Sequence, residues 1–218
     1  MKYFGTLIRI LFLAVFLFLV AKGKMMLWLG VFAVSLIAAI IFGRIYCGYI
    51  CPMNTLMIPT EWMSKKLKIQ SVNMPKWLKH DKLPWLTLLL SVVLVIISKK
   101  FLHKDLPFML IWLVIAVIVT LRFKPEMFHN HICPFGALQK TFGKFSRFSK
   151  SVDEETCIGC KLCEKSCPSE AIRVMAENKK AVITASLCHQ CENCQEVCPK
   201  DSIHYITTNK STEASIIT

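Results

Sequence analysis

Acidic residues are scarce in the first 150 positions of this 218-residue chain, which hold four Asp or Glu against twenty Lys or Arg. Four stretches, residues 10–21, 25–43, 83–98 and 106–121, contain no charged residue at all. A soluble domain this short cannot bury four such runs, and a bilayer is crossed by about 17–25 apolar residues. With a mean hydropathy of +0.49, the sequence therefore predicts a membrane all-α bundle of four transmembrane helices.

Several motifs are also missing from the sequence. It has no Cys-x-x-Cys-His for a c-type haem, no Gly-rich dinucleotide motif after a strand and no nucleic-acid-binding motif. After the first apolar run, residues 20–23 read Val-Ala-Lys-Gly and lack the paired small residues of a secretory cleavage site. We therefore expect membrane lipid, rather than nucleic acid, as a partner.

Basic residues are concentrated in three places: before the first apolar run, between the second and third, and after the fourth. By the positive-inside rule, both termini and the central loop lie in the cytoplasm. We expect a multi-pass protein of the inner membrane of a prokaryotic cell. Residues 61–82 mix apolar residues with six lysines, which predicts an amphipathic stretch on anionic lipid, or a surface for a partner.

Eight of the eleven cysteines form two regular runs, each of the form Cys-x2-Cys-x2-Cys-x3-Cys-Pro. In this pattern three close cysteines surround one [4Fe–4S] cluster, and the fourth cysteine of each run binds the other cluster. The predicted ligands of the first cluster are Cys157, Cys160, Cys163 and Cys198. Those of the second are Cys188, Cys191, Cys194 and Cys167. Zinc is disfavoured, because zinc modules pair their cysteines across a long spacer.

Net charge changes sign at the start of the cysteine runs, from +16 over residues 1–150 to −3 over residues 151–218. We predict a transmembrane domain over 1–150 and an α+β two-[4Fe–4S] ferredoxin-like domain over 151–218. Short strands are expected at 171–174, 180–185 and 202–207. His189 lies inside the second run, and we interpret it as an exposed residue beside the cluster because four thiolates are already present.

The other three cysteines lie in two similar turns, each after a pair of apolar runs. Residues 44–52 read Arg-Ile-Tyr-Cys-Gly-Tyr-Ile-Cys-Pro, and residues 129–134 read His-Asn-His-Ile-Cys-Pro. This internal repeat aligns Cys47 with His129 and Cys51 with Cys133. Two interpretations stay open: small residues in tight turns, or a third metal or redox centre held by three thiolates and an imidazole.

Paired Cys-x3-Cys-Pro turns after membrane helices, followed by a two-cluster ferredoxin run, resemble the quinol dehydrogenase membrane components of the NapH type. The membrane half of NosR and the FixG/CcoG proteins are similar. The first turn, residues 43–52, matches this family well, whereas His129 stands where the family has the first cysteine of the second turn. The resemblance implies electron transfer from quinol toward a reductase, or redox support for metal-centre assembly.

Three functions follow as alternatives, and whether the chain is itself an enzyme stays open. The first is an electron-transfer subunit of an oxidoreductase that moves electrons between the quinone pool and a redox partner. The second is a metal-centre assembly protein or copper or iron reductase, and the third is a simple membrane-tethered ferredoxin. For quinol oxidation, the expected proton acceptors near the cytoplasmic face are His129, His131, Glu126 and Glu61.

Overall fold

Helices dominate the apolar part of the chain, since a helix satisfies its backbone hydrogen bonds within the segment, as lipid requires. The computed structural model describes residues 2–71, 78, 80, 82–102 and 108–207, with the backbone alone for residues 2, 3, 101 and 102. Its helices up to residue 143 are α1 (Lys2–Ala21), α2 (Met25–Phe42), α3 (Pro52–Lys66), α4 (Leu83–Ile97), α5 (Phe108–Arg122), α6 (Pro125–Met127) and α7 (Pro134–Gly143).

Within the described ranges, three segments are helical, long and apolar enough to cross a membrane: Phe4–Ala21, Met25–Phe42 and Leu83–Lys100. The last continues from α4 into a π-helical turn, Ser98–Leu102. The predicted fourth span, 106–121, corresponds to α5, an apolar helix of 15 residues, and its first two positions lie outside the described residues. The chain is thus a membrane protein, and its fourth crossing stays a prediction.

The first helix is longer than the apolar run from which it was predicted. It begins at Lys2 rather than at residue 10, and it therefore contains Arg9. The Arg9 guanidinium lies 5.3 Å from the centroid of the Tyr49 ring, a cation–π arrangement. The segment predicted to be amphipathic, 61–82, begins within α3, and positions 72–77, 79 and 81 lie outside the described residues.

The chain divides into two compact units, and the first comprises Met1–Ala33 and Tyr49–Leu138. Polar side chains join its helices. Ser64 Oγ donates to the carbonyl of Leu121 at 2.6 Å and links α3 to α5. Trp112 Nε1 donates to Ser91 Oγ at 3.3 Å and links α5 to α4. Such hydrogen bonds and close packing hold helices together where the surroundings are as apolar as the side chains.

The second unit comprises Val34–Gly48 and Gln139–Thr218. It contains the strands β1 (Phe148–Val152), β2 (Ile172–Val174), β3 (Ala181–Ile183) and β4 (Ile203–Thr207), and the short helices α8 (Leu162–Ser166) and α9 (Asn193–Glu196). Strand β1 pairs antiparallel with β4, and β2 with β3. Cys163, Cys194 and apolar residues of β2, β3 and β4 form its core.

Three of these strands lie where the sequence predicts them, within one or two residues at each end. Strand β1 was not predicted, although it pairs with β4 over all five of its residues. It also spans positions 150 and 151, between which the sequence placed the domain boundary.

Candidate iron–sulfur sites

The first cysteine run forms a loop and the short helix α8, which carries Cys163. Gly159 and Lys161 have φ values of +68° and +62°, so the backbone turns sharply between the cysteines. Lys180 Nζ donates to the carbonyl of Cys157 at 2.6 Å. A Cβ atom on Gly159 would lie 2.0 Å from the carbonyl oxygen of Lys179. The β2–β3 connection therefore holds this loop closely, and only glycine fits at residue 159.

A cavity opens between this loop and the end of the second run. Its lining includes Cys157, Cys160, Cys163 and Cys198, the four residues predicted to bind the first cluster. The apolar part of the lining consists of Val152, Ile158, Val174, Pro199, Ala181 and Ile203. Four thiols around an apolar cavity suit an iron–sulfur cluster, whose ligands are thiolates and whose potential depends on burial.

The second ligand set is more deeply buried. Burial raises the pKa of Cys188, and the charges of Cys191, Cys194 and Cys167 raise it further, against a hydrogen bond from the Gln190 backbone N–H. Burial also raises the pKa of Cys194, to about 12, with a further contribution from Cys191. The thiol of Cys167, from the first run, thus lies near those of the second. That Cys167 is the fourth ligand of the second cluster, as the sequence pattern predicts, stays a prediction.

Backbone amides point at the sulfur atoms at equivalent positions of the two runs. The N–H of Ala171 donates to Cys167 Sγ at 3.3 Å, and that of Ser202 donates to Cys198 Sγ at 3.4 Å. In both cases the donor is four residues after the cysteine. Burial acts to raise the pKa of Cys198, but hydrogen bonds from Ser202, Lys200 and Asp201 outweigh it and lower that pKa. These amides favour thiolates, the form that binds iron.

The two cysteine turns outside the ferredoxin-type runs have nearly the same backbone. Each contains a π-helical segment, Tyr46–Ile50 or Phe128–Ile132, and each ends in a cysteine followed by a proline that begins a helix. Cys51 has φ −67° and ψ 118°, and Cys133 has φ −66° and ψ 117°. Both cysteines are buried. The structure therefore repeats the local geometry that the sequence alignment of the two turns indicates.

His129, at the start of the second turn, is buried, and its Nε2 lies 3.2 Å from Asn54 Oδ1. Since an amide oxygen can only accept, Nε2 carries the hydrogen in this pair. Glu126 is also buried and pairs with Lys124 at 3.4 Å, whereas Glu61 pairs with Lys65 at 2.6 Å. His131 is only half-buried.

The four residues proposed for a third centre are divided between the units. Cys51, Cys133 and His129 belong to the first unit and Cys47 to the second, so their convergence stays a prediction. Among the described residues, which include all eleven cysteines, no disulfide joins two of them. In the same part of the chain, no three His, Cys, Asp or Glu side chains are grouped so as to hold a metal ion. An iron–sulfur cluster is larger than a single metal ion, so the thiolates that hold a cluster lie farther apart than the ligands of one ion.

Sequence reasoning missed the burial of Arg44 and Asn54, and its expectation that His189 is exposed is wrong, since His189 is 1% exposed. Arg44 is 0% exposed, although by sequence it is one more basic residue that sets the topology. Asn54 is 5% exposed and contacts His129. In the sequence, only the position of Arg44 directly after Gly43 in the first turn sets it apart from the other basic residues. Nothing in the sequence distinguishes Asn54.

Two protein-family models match the chain. One, a 4Fe-4S dicluster domain, matches residues 149–208. The other, a 4Fe-4S binding domain, matches residues 25–70 and 106–152. The second model thus covers both halves of the internal repeat, each time with an apolar helix and its cysteine turn. These matches confirm the prediction of two [4Fe–4S] clusters, while the assignment of individual ligands stays a prediction.

Known proteins resemble the chain over about two thirds of its length. An uncharacterized protein of Methanocaldococcus jannaschii is 31% identical over 63% of this chain and 56% of its own. The methylamine utilization ferredoxin-type protein MauN of Methylobacillus flagellatus is 24% identical, over 64% and 53%. The ferredoxin-type protein NapH of Haemophilus influenzae is 24% identical, over 70% and 57%. The chain thus spans little more than half the length of these relatives, and no solved structure matches it.

Proposed function

Because this chain belongs to a NapH-like family of ferredoxin-type proteins, we propose that it is a membrane-bound iron–sulfur electron-transfer subunit. It moves electrons between the quinone pool and a redox partner protein. The observation that carries this proposal is the cavity lined by Cys157, Cys160, Cys163 and Cys198, in a chain that also has helices of membrane-spanning length.

In this proposal the first cluster is held by Cys157, Cys160, Cys163 and Cys198. The second is held by Cys188, Cys191, Cys194 and Cys167. When bound, each [4Fe–4S] cluster accepts or donates one electron. The protein positions the two sites through α8, α9 and the core that Cys163 and Cys194 share with β2, β3 and β4. Its backbone amides at Ala171 and Ser202 stabilise the thiolates.

The membrane domain of the proposal, residues 1–150, crosses the inner membrane four times, with α5 as the fourth crossing. Both termini and the ferredoxin-type domain, residues 151–218, then lie in the cytoplasm. The support is the excess of lysine and arginine in the segments assigned to that side. In this orientation both cysteine turns face the cytoplasm.

Quinol is the proposed electron donor in the membrane. Its oxidation releases two electrons and two protons, so two one-electron carriers match one quinol. His129 supports the assignment, because it is a buried imidazole in the first unit whose Nε2–H is directed at Asn54. With the hydrogen on Nε2, Nδ1 is the basic atom of the ring. In this scheme Nδ1 accepts a quinol proton where it binds no metal, and buried Glu126 is the acceptor where Nδ1 is a ligand of the third centre.

We include a third redox centre at Cys47, Cys51, Cys133 and His129 in this proposal. Its support is the matching backbone of Cys51 and Cys133 and the match of both turns to a 4Fe-4S binding model. Such a centre would lie where electrons leave the membrane. Iron and sulfide analysis tests it, because it adds metal beyond the two clusters of the ferredoxin-type domain.

The test uses the full chain in detergent, reconstituted anaerobically with iron and sulfide. Addition of a water-soluble menaquinol should reduce the clusters, as seen by electron paramagnetic resonance. The Asn54→Leu variant removes the partner of His129 and should slow this reduction by about tenfold or more, since positioned proton acceptors contribute at least that much. Asn54→Asp keeps an accepting oxygen and serves as the matched control.

Dithionite should reduce all three proteins equally, which shows that their clusters are intact. If dithionite reduces the wild-type clusters and menaquinol does not, the quinone assignment is wrong. Copper binding by such a protein would then favour the metal-centre assembly function, and its absence would favour the tethered ferredoxin.

A further inference from the structure

The first cysteine turn is in direct contact with the loop that carries the second ligand set. The part of the turn up to Gly48 and the loop both belong to the second compact unit, whereas residues 49–52 of the turn belong to the first. A Cβ atom on Gly48 would lie 2.2 Å from the carbonyl oxygen of His189 and 3.8 Å from Cys191 Cα. One on Gly43 would lie 2.8 Å from Gln190 Nε2. Two glycines thus allow the turn to touch residues 189–191, which are the second cysteine of the second run and the two residues before it.

The loop is held in place on its other side by the side chain of Gln190. Its Nε2 donates to Ser149 Oγ at 2.9 Å, and its Oε1 accepts from the Lys150 N–H at 3.2 Å. The Gln190 backbone has φ +57°, and its N–H donates to Cys188 Sγ at 3.4 Å. The loop is therefore fixed between β1 and the first cysteine turn.

Arg44 lies in this contact and carries a buried positive charge. It is 0% exposed, and Gly143 packs against its aliphatic part, with a Cβ site 3.1 Å from Arg44 Cγ. Its Nη1 donates to the carbonyl of Leu187 at 3.5 Å, and its Nη2 to Cys47 Sγ at 3.8 Å, both long contacts. Nε has no hydrogen-bond partner among the described residues, and no carboxylate in that part of the chain pairs with Arg44.

A buried charge without a counter-charge is unfavourable, so an anion is expected near it. A [4Fe–4S] cluster with four thiolate ligands is an anion, and reduction adds one more negative charge. Leu187, whose carbonyl accepts from Arg44, immediately precedes Cys188 of the second ligand set. The first set has no comparable contact with Arg44, and its Cys160 is exposed.

We propose that Arg44 is a positioning residue that supplies the positive charge for the second cluster site and raises the midpoint potential of the cluster held by Cys188, Cys191, Cys194 and Cys167. The second cluster site, which has the buried Arg44 guanidinium near it, is then also the site in contact with the turn that follows α2. This inference rests on the proposed electron-transfer function, but its readout is a potential and needs neither quinol nor a partner.

The experiment is a redox titration of the full chain in detergent, with reconstituted clusters, followed by electron paramagnetic resonance. Gly159→Ala identifies the signal of the first cluster, because Gly159 lies in the first cysteine loop and a Cβ there meets Lys179 of the β2–β3 connection. Arg44→Gln, made together with Cys51→Ser and Cys133→Ser so that no third centre contributes, should shift the signal of the second cluster. At a fixed potential its ratio of reduced to oxidised cluster should fall about tenfold, which is 59 mV for a one-electron couple. Arg44→Lys keeps the charge and should shift it less.

Gly48→Ala provides an independent check, since its Cβ meets the backbone of His189. It should alter the signal that Arg44→Gln shifts and leave the first-cluster signal unchanged.

If Arg44→Gln loses its clusters, Arg44→Met, which is also neutral, replaces it. The proposal is wrong if the neutral variants shift the first-cluster signal, shift both equally or shift neither. It is equally wrong if Gly48→Ala perturbs only the first-cluster signal. Failure of menaquinol to reduce the wild type leaves this result unaffected.

Discussion

Gly159→Ala tests the geometry of the first cluster loop most directly. The backbone at Gly159 has φ +68°, a left-handed conformation that costs a residue with a Cβ about 1–2 kcal/mol. The Cβ would also lie 2.0 Å from the Lys179 carbonyl oxygen, so backbone must move. Such overpacking costs about 1–3 kcal/mol. The sum, about 2–5 kcal/mol, raises the population of the open loop at least about thirtyfold, since 1.4 kcal/mol is about tenfold.

The assay is release of iron to a chelator from the reconstituted full chain. The iron of the first site should leave at least about tenfold faster from Gly159→Ala than from the wild type, and the remaining iron should leave at the wild-type rate. Gly159→Asn keeps the Cβ but tolerates the left-handed backbone better, so it should also release iron quickly. Gly23→Ala is the matched control, because Gly23 has φ +67° with nothing within 4 Å of its Cβ site. Wild-type iron retention in Gly159→Asn would refute the contact with Lys179.

Three further predictions can be tested on the same protein. Two clusters require about eight irons per chain, and a full chain that holds no more iron than a fragment of residues 146–218 has no third centre. Reporter fusions at residues 24 and 104 should be external, and those at residues 79 and 218 internal; an external C-terminus would overturn the topology. Lys180→Met removes the donor to the Cys157 carbonyl and should speed iron loss from the first site several-fold, whereas Lys179→Met should not.

The cysteine spacing predicted the site better than it predicted the fold around it. Cluster ligands follow a fixed spacing, because they must surround a body of fixed size. Cys157, Cys160, Cys163 and Cys198 therefore could be grouped from sequence, and they line one cavity. Strand β1 could not be predicted in this way. Its sequence, Phe-Ser-Lys-Ser-Val, is polar and follows a basic segment, and its partner β4 is more than fifty residues away.

Buried polar residues are, after strand β1, the second feature of the structure that could not be predicted from the sequence. Lys150 looks like one of the basic residues that follow the fourth apolar run, yet it is 5% exposed and its Nζ donates to Gln195 Oε1 at 2.8 Å. Arg44 looks the same and is also buried. A basic residue at the end of an apolar run is usually explained by the membrane surface. Only packing distinguishes one that the fold has enclosed.

The two cysteine turns are similar in sequence, but they have different surroundings in the structure. Up to Gly48 the first turn belongs to the second unit, where its glycines touch the loop of the second ligand set. The second turn belongs to the first unit, where His129 contacts Asn54 of α3. Cys47 and His129 occupy the same position of the repeat. The Cys47 thiol therefore lies in the unit that holds the second ligand set, and the His129 imidazole lies among the helices of the first unit. Under the proposed quinol oxidation the histidine serves there as a proton acceptor, which fits its presence where the first turn has a cysteine.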